Sequence, residues 1–501
     1  MKRITALAIA AAIVLPSSVA AQPGWKAAPA FHFAPARNWM NDPNGLVYYD
    51  GEYHLFYQYN PYGDRWGHMS WGHAVSRDLV RWTELPVALA ETDVMAFSGS
   101  AVIDWANSSG FGRNGKPPMI AFFTGFDPKT KNQSQYLAYS NDKGRTFTRY
   151  GKILDIGSTE FRDPKVFWHA PSHRWIMLVV RAVENKLSIY TSTDLKAWDH
   201  ASDFGPAGAR GKNWECPDLF ELPVKNGTSG EKRWVLGINL GDGGVGGGSG
   251  GQYFVGSFDG RQFTPDPTWG SAPQWMDYGA DFYAAVSWND LPKDDARRIW
   301  IGWANDWRYA NNIPTYPSRG LMSLPRTVDL IRTKDGYRIA QAPVRELTKF
   351  RGPRRIASNL SIGPTPVTLP VQGGRVEAIF DIDAHAAEQL VIALTDEAGY
   401  ETLIGVNPAV NEVFVDRTRS GPHFHDAFPD RHIAPVDLSS GKVRLHVIVD
   451  ESILELYIND GTKVITDRFF PAGSSLRWSA HARGHATISS LEGWELSVRT
   501  P

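Results

Sequence analysis

Along most of the chain, apolar and polar residues alternate in short runs broken by Gly, Pro and Asp-Gly pairs. This is the patterning of β-strands rather than of amphipathic helices. Val47–Tyr57 reads as two strands about an Asp50-Gly51 turn, Val166–Trp168 and Trp175–Val180 as a second hairpin, and Arg298–Trp303 as a further strand. A degenerate repeat accompanies them. Ser76-Arg77-Asp78 is followed by Trp82, Ser140-Asn141-Asp142 by Phe147, Ser192-Thr193-Asp194 by Trp198, Ser257-Phe258-Asp259 by Phe263, and Thr333-Lys334-Asp335 by Tyr337. Each copy closes a strand-like run, with the polar group supplying a turn and the aromatic placed to pack between repeats. Such spacing predicts propeller blades of about four strands each. Five copies imply five blades, over residues 26–341. The repeat then fades. Ala342–Phe350, with Pro343 near its start, is the best short helix in the chain, and Arg351–Arg355 reads as a linker, so 342–355 is expected to separate two domains. From 356 to 501 alternation resumes in 376–382, 390–394, 443–450 and 453–458, with a turn at Asn459-Asp460-Gly461. The expected fold is all-β: a five-bladed β-propeller followed by a C-terminal β-sandwich.

Composition narrows the class of partner. Lys+Arg number 52 and Asp+Glu 53, a balance with no field to gather nucleic acid or an anionic membrane surface. A neutral ligand fits better, and the 19 Trp, 18 Tyr and 24 Phe provide flat apolar faces suited to sugars as well as to a β core. Lys2 and Arg3, the apolar stretch Ile4–Pro16 and the small residues Ser18–Ala21 read as a secretory signal over residues 1–20. The chain is therefore expected to be secreted or periplasmic, with no membrane span and as a monomer or weak oligomer. With one cysteine, Cys216, it can form no internal disulfide or cysteine zinc cluster. Neither a metal nor another cofactor is expected.

Three carboxyl groups sit among residues that a solvated loop rarely carries. Asp42 lies in Asn38-Trp39-Met40-Asn41-Asp42-Pro43-Asn44-Gly45, a turn that holds a Trp and a Met. Asp163 follows Arg162 and precedes Pro164. Glu215 lies in Asn213-Trp214-Glu215-Cys216-Pro217-Asp218, where Trp214 and Cys216 could raise its pKa by desolvation, as a general acid requires. Taken alone, each motif is more often a turn or a blade-closing element, and the residues by themselves stop at candidate carboxylates. Gly241–Gly246 fits G-x-G-x-x-G, but glycines and a strand follow it, with no helix to receive a phosphate. It is expected to be a flexible loop near the centre of the propeller.

With W-M-N-D-P-N-G at 39–45, F-S-G-S at 97–100, R-D-P at 162–164 and W-E-C-P-D at 214–218, the chain resembles glycoside hydrolase family 32, the β-fructofuranosidases, over nearly its whole length. That resemblance implies the same propeller–sandwich fold and a retaining glycosidase. Asp42 would be the nucleophile, Glu215 the acid/base and Asp163 the stabiliser of the transition state. Asn41, Gln58, Trp66, Phe97, Ser98 and Arg162 would line the fructose pocket, and Trp307 and Tyr283 match it as well. Three acids in one pocket repel each other, and Glu215, beside apolar groups, is the one expected to stay protonated near neutral pH.

The stretch Trp303–Arg326 is similar to levanases and exo-inulinases, and the intact Trp39 favours hydrolysis over fructosyl transfer. The implied substrate is a fructan (levan or inulin) or sucrose, attacked at its terminal β-D-fructofuranosyl residue. A sucrose-preferring invertase is the alternative within the class. Outside it stand a fructan-binding protein with little catalysis and a propeller scaffold for protein partners. Intact Asp42, Asp163 and Glu215 argue for the enzyme.

Overall fold

The computed structural model describes residues 29–270, 272–292 and 294–498; the signal reading at 1–20 lies outside them. Seven sheets, antiparallel except for one short parallel pair, and six short 3-10 turns account for the regular structure of the described residues. Five of the sheets are the blades. They are built on the strands Asn38–Tyr49, Met95–Ile103, Phe161–His169, Trp214–Pro223 and Tyr283–Ser287, each followed in sequence order by its partners. These five first strands pack against one another in a closed ring and so form the wall of the central channel. The ring is sealed where Ser318–Arg319, beyond the fifth blade's second strand, pairs parallel with Asn38 and Trp39 of the first.

The Ser-x-Asp repeat explains the outer turns. Every copy lies between the third and fourth strands of a blade. The Asp78 carboxylate accepts the backbone N–H groups of Val80 and Arg81, and Asp194 those of Lys196 and Ala197. Asp259 does the same for Arg261 and Gln262. These are Asx-type turns, which need only the side chain and the next few amides. The aromatic that follows reaches the neighbouring blade: Phe147 meets Phe56, Trp198 meets Phe122, Phe263 meets Phe204, and Trp82 stacks with Trp288 across the closure. The Asp50-Gly51 hairpin has both turn residues at positive φ, 48° and 86°, as a two-residue type I′ turn requires.

Two six-stranded sheets follow, one running from Arg351–Ile362 to Lys463–Arg468 and the other from Val367–Gln372 to Arg431–Pro435. Their inner faces share one apolar core that includes Phe380, Leu394, Leu445, Leu456 and Trp478. The strands read at 376–382, 390–394, 443–450 and 453–458 are all present, the first three longer than expected and the last with the same bounds. The junction between the domains differs from the sequence reading. Ala342 and Pro343 end a strand of the fifth blade, and only Arg345–Phe350 turns, as a 3-10 helix that buries Leu347 and Phe350. Residues 351–355 are not a linker but the start of an edge strand. Arg351 ion-pairs with Glu377 at 2.7 Å and lies 3.9 Å over the ring of Trp494. Pro353 falls where the ladder is interrupted between Arg351 and Arg354, a place where a missing N–H costs nothing. Elsewhere the domains are joined by buried charge: Arg326 pairs with Asp277 at 2.8 Å and with Glu455 at 3.3 Å.

Candidate active site

All five inner strands carry the same irregularity near their first residues. Between Met40 and Pro43, Ala96 and Gly99, Arg162 and Lys165, Glu215 and Asp218, and Tyr283 and Val286, the inner strand advances three residues while its partner advances two. One inserted residue per strand is a β-bulge, which bends the strand and re-aims a side chain. The bulges place Asp42, Ser98, Asp163, Glu215 and Tyr283, one from each blade, at one end of the channel. The backbone is held in the left-handed region at Asp163 (φ 65°), Cys216 (φ 43°) and Ala284 (φ 55°). Non-glycine residues rarely adopt it, and where they do the surrounding structure holds them there. Gly99 is required by space: a Cβ there would lie 2.0 Å from the Phe122 carbonyl oxygen.

The side chains form one connected network. Ser98 Oγ donates to Asp42 Oδ2 at 2.6 Å, and Asn41 Nδ2 to Asp42 Oδ1 at 3.1 Å. Asn41 is oriented by Trp39, whose Nε1 donates to its Oδ1 at 2.8 Å. Cys216 sits between the two aspartates, its Sγ 3.6 Å from Asp42 Oδ2 and from Asp163 Oδ2, while its backbone N–H donates to Asp163 Oδ2 at 2.9 Å. Arg162 directs Nε and Nη2 at Glu215 Oε1, both at 3.0 Å. Its Nη1 donates to Glu160 at 2.6 Å and to Gln133 at 3.2 Å. The Tyr283 hydroxyl donates to the other Glu215 oxygen, Oε2.

Aromatic rings wall this centre. Trp39 stacks with Trp307 at 5.9 Å, Trp303 lies 4.8 Å from Trp307, and Tyr283 approaches Trp307 edge-on. On another side Trp66 meets Phe97 edge-to-face, and Phe97 stacks on Phe126. Trp66 is 43% exposed and stands at the rim. Gln58 is buried behind the wall, its amide donating to the Ala96 carbonyl at 2.9 Å. Every residue named from sequence is therefore in or against this network, with Gln58 and Trp66 at one remove from the acids. Residues that sequence reasoning did not single out are Gln133, Glu160 and Phe126, which belong to no motif, and Thr124, whose hydroxyl accepts the Asp163 N–H at 2.9 Å. The glycine-rich segment is a tight turn packed on the fifth blade. A Cβ at Gly248 would collide with Asp306 and Arg308, and the strand Gly250–Phe258 follows it.

Electrostatics separates the acids. Burial raises all three carboxyl pKa values. Asp42 rises under burial, opposed by the donors Ser98 and Asn41. Asp163 rises to about 6 through burial, opposed by Arg162 and reinforced by Asp42. Glu215 rises to about 7: burial and the charges of Asp163 and Asp42 together outweigh its pairing with Arg162. Of Asp163 and Glu215, the second to lose its proton is Glu215. A cavity of about 840 Å³ lies among Ile103, His169, Glu221 and Asn289, at the far ends of the inner strands, and contains none of the three acids.

Comparison with known proteins agrees with this architecture. Residues 32–343 match the Glycosyl hydrolases family 32 N-terminal domain, and residues 346–495 match the family 32 C-terminal domain. The levanase of Bacillus subtilis is 45% identical over 478 residues, covering 92% of this chain and 69% of that protein. The extracellular exo-inulinase of Aspergillus ficuum is 41% identical over 509 residues, covering 93% of each. The crystal structure of exo-inulinase from Aspergillus awamori superposes with a TM-score of 0.87 at 38% identity, covering 94% of this chain and 98% of that one.

Proposed function

The chain belongs to glycosyl hydrolase family 32 and is a β-fructofuranosidase, and from that premise we propose that it cleaves terminal fructosyl units from fructans by a retaining mechanism centred on Asp42 and Glu215. The observation that carries the assignment of roles is the order of ionisation. With Asp163 at about 6 and Glu215 at about 7, Glu215 keeps its proton after Asp163 is charged, while the donors Ser98 and Asn41 favour the charged form of Asp42. Arg162 occupies Oε1, so the proton belongs on Oε2, where the Tyr283 hydroxyl oxygen beside it accepts from the protonated acid until the glycosidic oxygen takes the proton. Asp42, held by Ser98 and Asn41, attacks the anomeric carbon, and the covalent fructosyl-enzyme is released by water that Glu215 then deprotonates. Asp163 favours the positively charged transition state. Among the described residues its protein donors are all on Oδ2, so Oδ1 is available to the sugar hydroxyls.

A pH profile tests the assignment. The nucleophile and Asp163 must be ionised and Glu215 protonated, so activity is lost as pH falls through the raised aspartate values and as pH rises through about 7. The expected kcat/KM profile is a narrow bell with its maximum between about 6 and 7. A rate still at its plateau at pH 8.5 would remove Glu215 from the acid role.

The exo reading rests on the pocket's construction: one side chain from each inner strand floors it, with Asn41 and Gln58 behind and Trp66 at the rim. Only a chain end enters such a pocket. Digestion of levan or inulin, followed by chromatography, is expected to yield free fructose from the earliest samples. Early mixed oligosaccharides with little fructose would establish an open cleft. Export through a leader at 1–20 belongs to the same reading and is supported by the extracellular designation of the Aspergillus relative.

A further inference from the structure

Two charged residues below the acids are not used by this mechanism. Lys165 lies two residues beyond Asp163 on the third blade's inner strand, and Asp218 three beyond Glu215 on the fourth. Both side chains are buried, 5% and 1% exposed, with Nζ 3.0 Å from Asp218 Oδ1. Lys165 also donates to the Ser287 carbonyl at 2.7 Å, and Asp218 Oδ2 accepts the Ser287 N–H at 2.7 Å. Ser287 ends the inner strand of the fifth blade, which begins at Tyr283. One buried ion pair thus ties three blades together directly beneath Asp163, Glu215 and Tyr283. Arg298 is the other cation facing it, donating to the Trp288 carbonyl at 3.1 Å.

The position matters because the blades are separate sheets. No ladder of backbone hydrogen bonds sets the distance between Asp163 and Glu215, and each stands on a bulge, where its own ladder is interrupted. Beside the pair lies a void of about 20 Å³, lined by Ser98, Asp163, Lys165, Cys216 and Ser287 among others, roughly enough for one water. The strands could close into that space if nothing held them apart. A buried ion pair contributes little net stability compared with an apolar replacement, and its best-attested use is to fix one arrangement among several.

We propose that Lys165 and Asp218 are positioning residues that set the separation of Asp163 and Glu215 across the seam between the third and fourth blades. The proposal rests on the roles assigned above. An error of about 1 Å in such a site costs on the order of 100-fold in rate. Lys165→Arg and Asp218→Glu keep both charges but change the span, so they serve as the primary variants; Lys165→Met and Asp218→Asn remove one partner each. In full-length folded protein, the charge-preserving variants are expected to lose roughly tenfold or more in kcat with KM within about threefold. The basic limb of their pH profile should also move, because the Asp163–Glu215 interaction changes. The double variant Lys165→Arg/Asp218→Glu should lose less than the product of the single losses. If the charge-preserving variants keep wild-type kcat and pH limbs while only melting temperature falls, the pair is merely structural and the proposal is overturned. Asp42→Asn, measured alongside, separates the two readings: an active Asp42→Asn protein refutes the catalytic assignment, whereas an inactive one with normal clamp variants refutes the clamp alone.

Discussion

Asp42→Asn is expected to fold normally and to lose roughly 10⁴- to 10⁶-fold in turnover, the range seen when a covalent nucleophile is removed. The amide preserves volume, and its oxygen can still accept the Ser98 hydroxyl that now bonds Oδ2 at 2.6 Å, giving up only the weaker bond from Asn41 Nδ2 at 3.1 Å. Its neighbours Trp39, Met40 and Asn41 are all buried, so the strand has little freedom to rearrange. Replacing a buried acid by an amide also relieves its repulsion of Asp163 and Glu215, so melting at pH 8 should be equal to or above wild type. The expected pair of results is therefore an inactive protein of undiminished stability. Steady-state rates on sucrose and inulin check the first, and thermal unfolding at pH 5 and pH 8 the second. The wild-type enzyme should release fructose with retained configuration, read by NMR within the first minutes. Inversion would exclude Asp42 as a covalent nucleophile even if the variant were inactive.

Glu215→Ala is expected to cost roughly 10²- to 10⁴-fold on natural substrates, the contribution of a positioned general acid and base. Its signature differs from that of Asp42→Asn. A fructoside whose leaving group needs no protonation should restore the first step, so that the fructosyl-enzyme accumulates. Added azide should then raise turnover by attacking that intermediate without a base. The basic limb at about 7 should vanish from the pH profile. Stability responds as well. The folded-state pKa of Glu215 is raised, so ionising it costs stability progressively as pH rises from its unfolded value of about 4.5 through about 7. Glu215→Gln should consequently gain relative to wild type at pH 8 and not at pH 4, by at most about 3 kcal/mol and less because Arg162 loses its partner. Azide without effect on the alanine variant, or a basic limb that survives, would move the acid role to another residue.

Local chemistry was the part of this protein that could be read in advance. A Ser-x-Asp turn is closed by its own hydroxyl, carboxylate and following amides, and an Asp-Gly hairpin by two residues at positive φ. The blade count and the sandwich strands followed from such signals, and Asp42, Asp163 and Glu215 stood out through their immediate neighbours. Cys216 shows where this reading ended. It lies in the same motif as Glu215, yet its contact with Asp42 joins residues 174 apart in sequence. Gln133 and Thr124 lay outside every motif because they act on Arg162 and Asp163 from the blade next door, and Glu160, two residues before Arg162, carried no motif to mark its contact. The segment 351–355 looked like a linker for the same kind of reason: a run of Arg about Gly-Pro is unremarkable until Glu377 and Trp494 stand beside it.

The chain alone determined which residues could act: its alternation and turns specify strands and blades, and its motifs name the acids. Tertiary structure decided how those acids meet and what surrounds each of them. The five bulges that turn Asp42, Ser98, Asp163, Glu215 and Tyr283 into one channel depend on cross-strand register. The order in which the carboxyls ionise depends on burial and on charges contributed by different blades. Both are properties of distance in space, and Coulomb and desolvation energies follow that distance rather than separation along the chain.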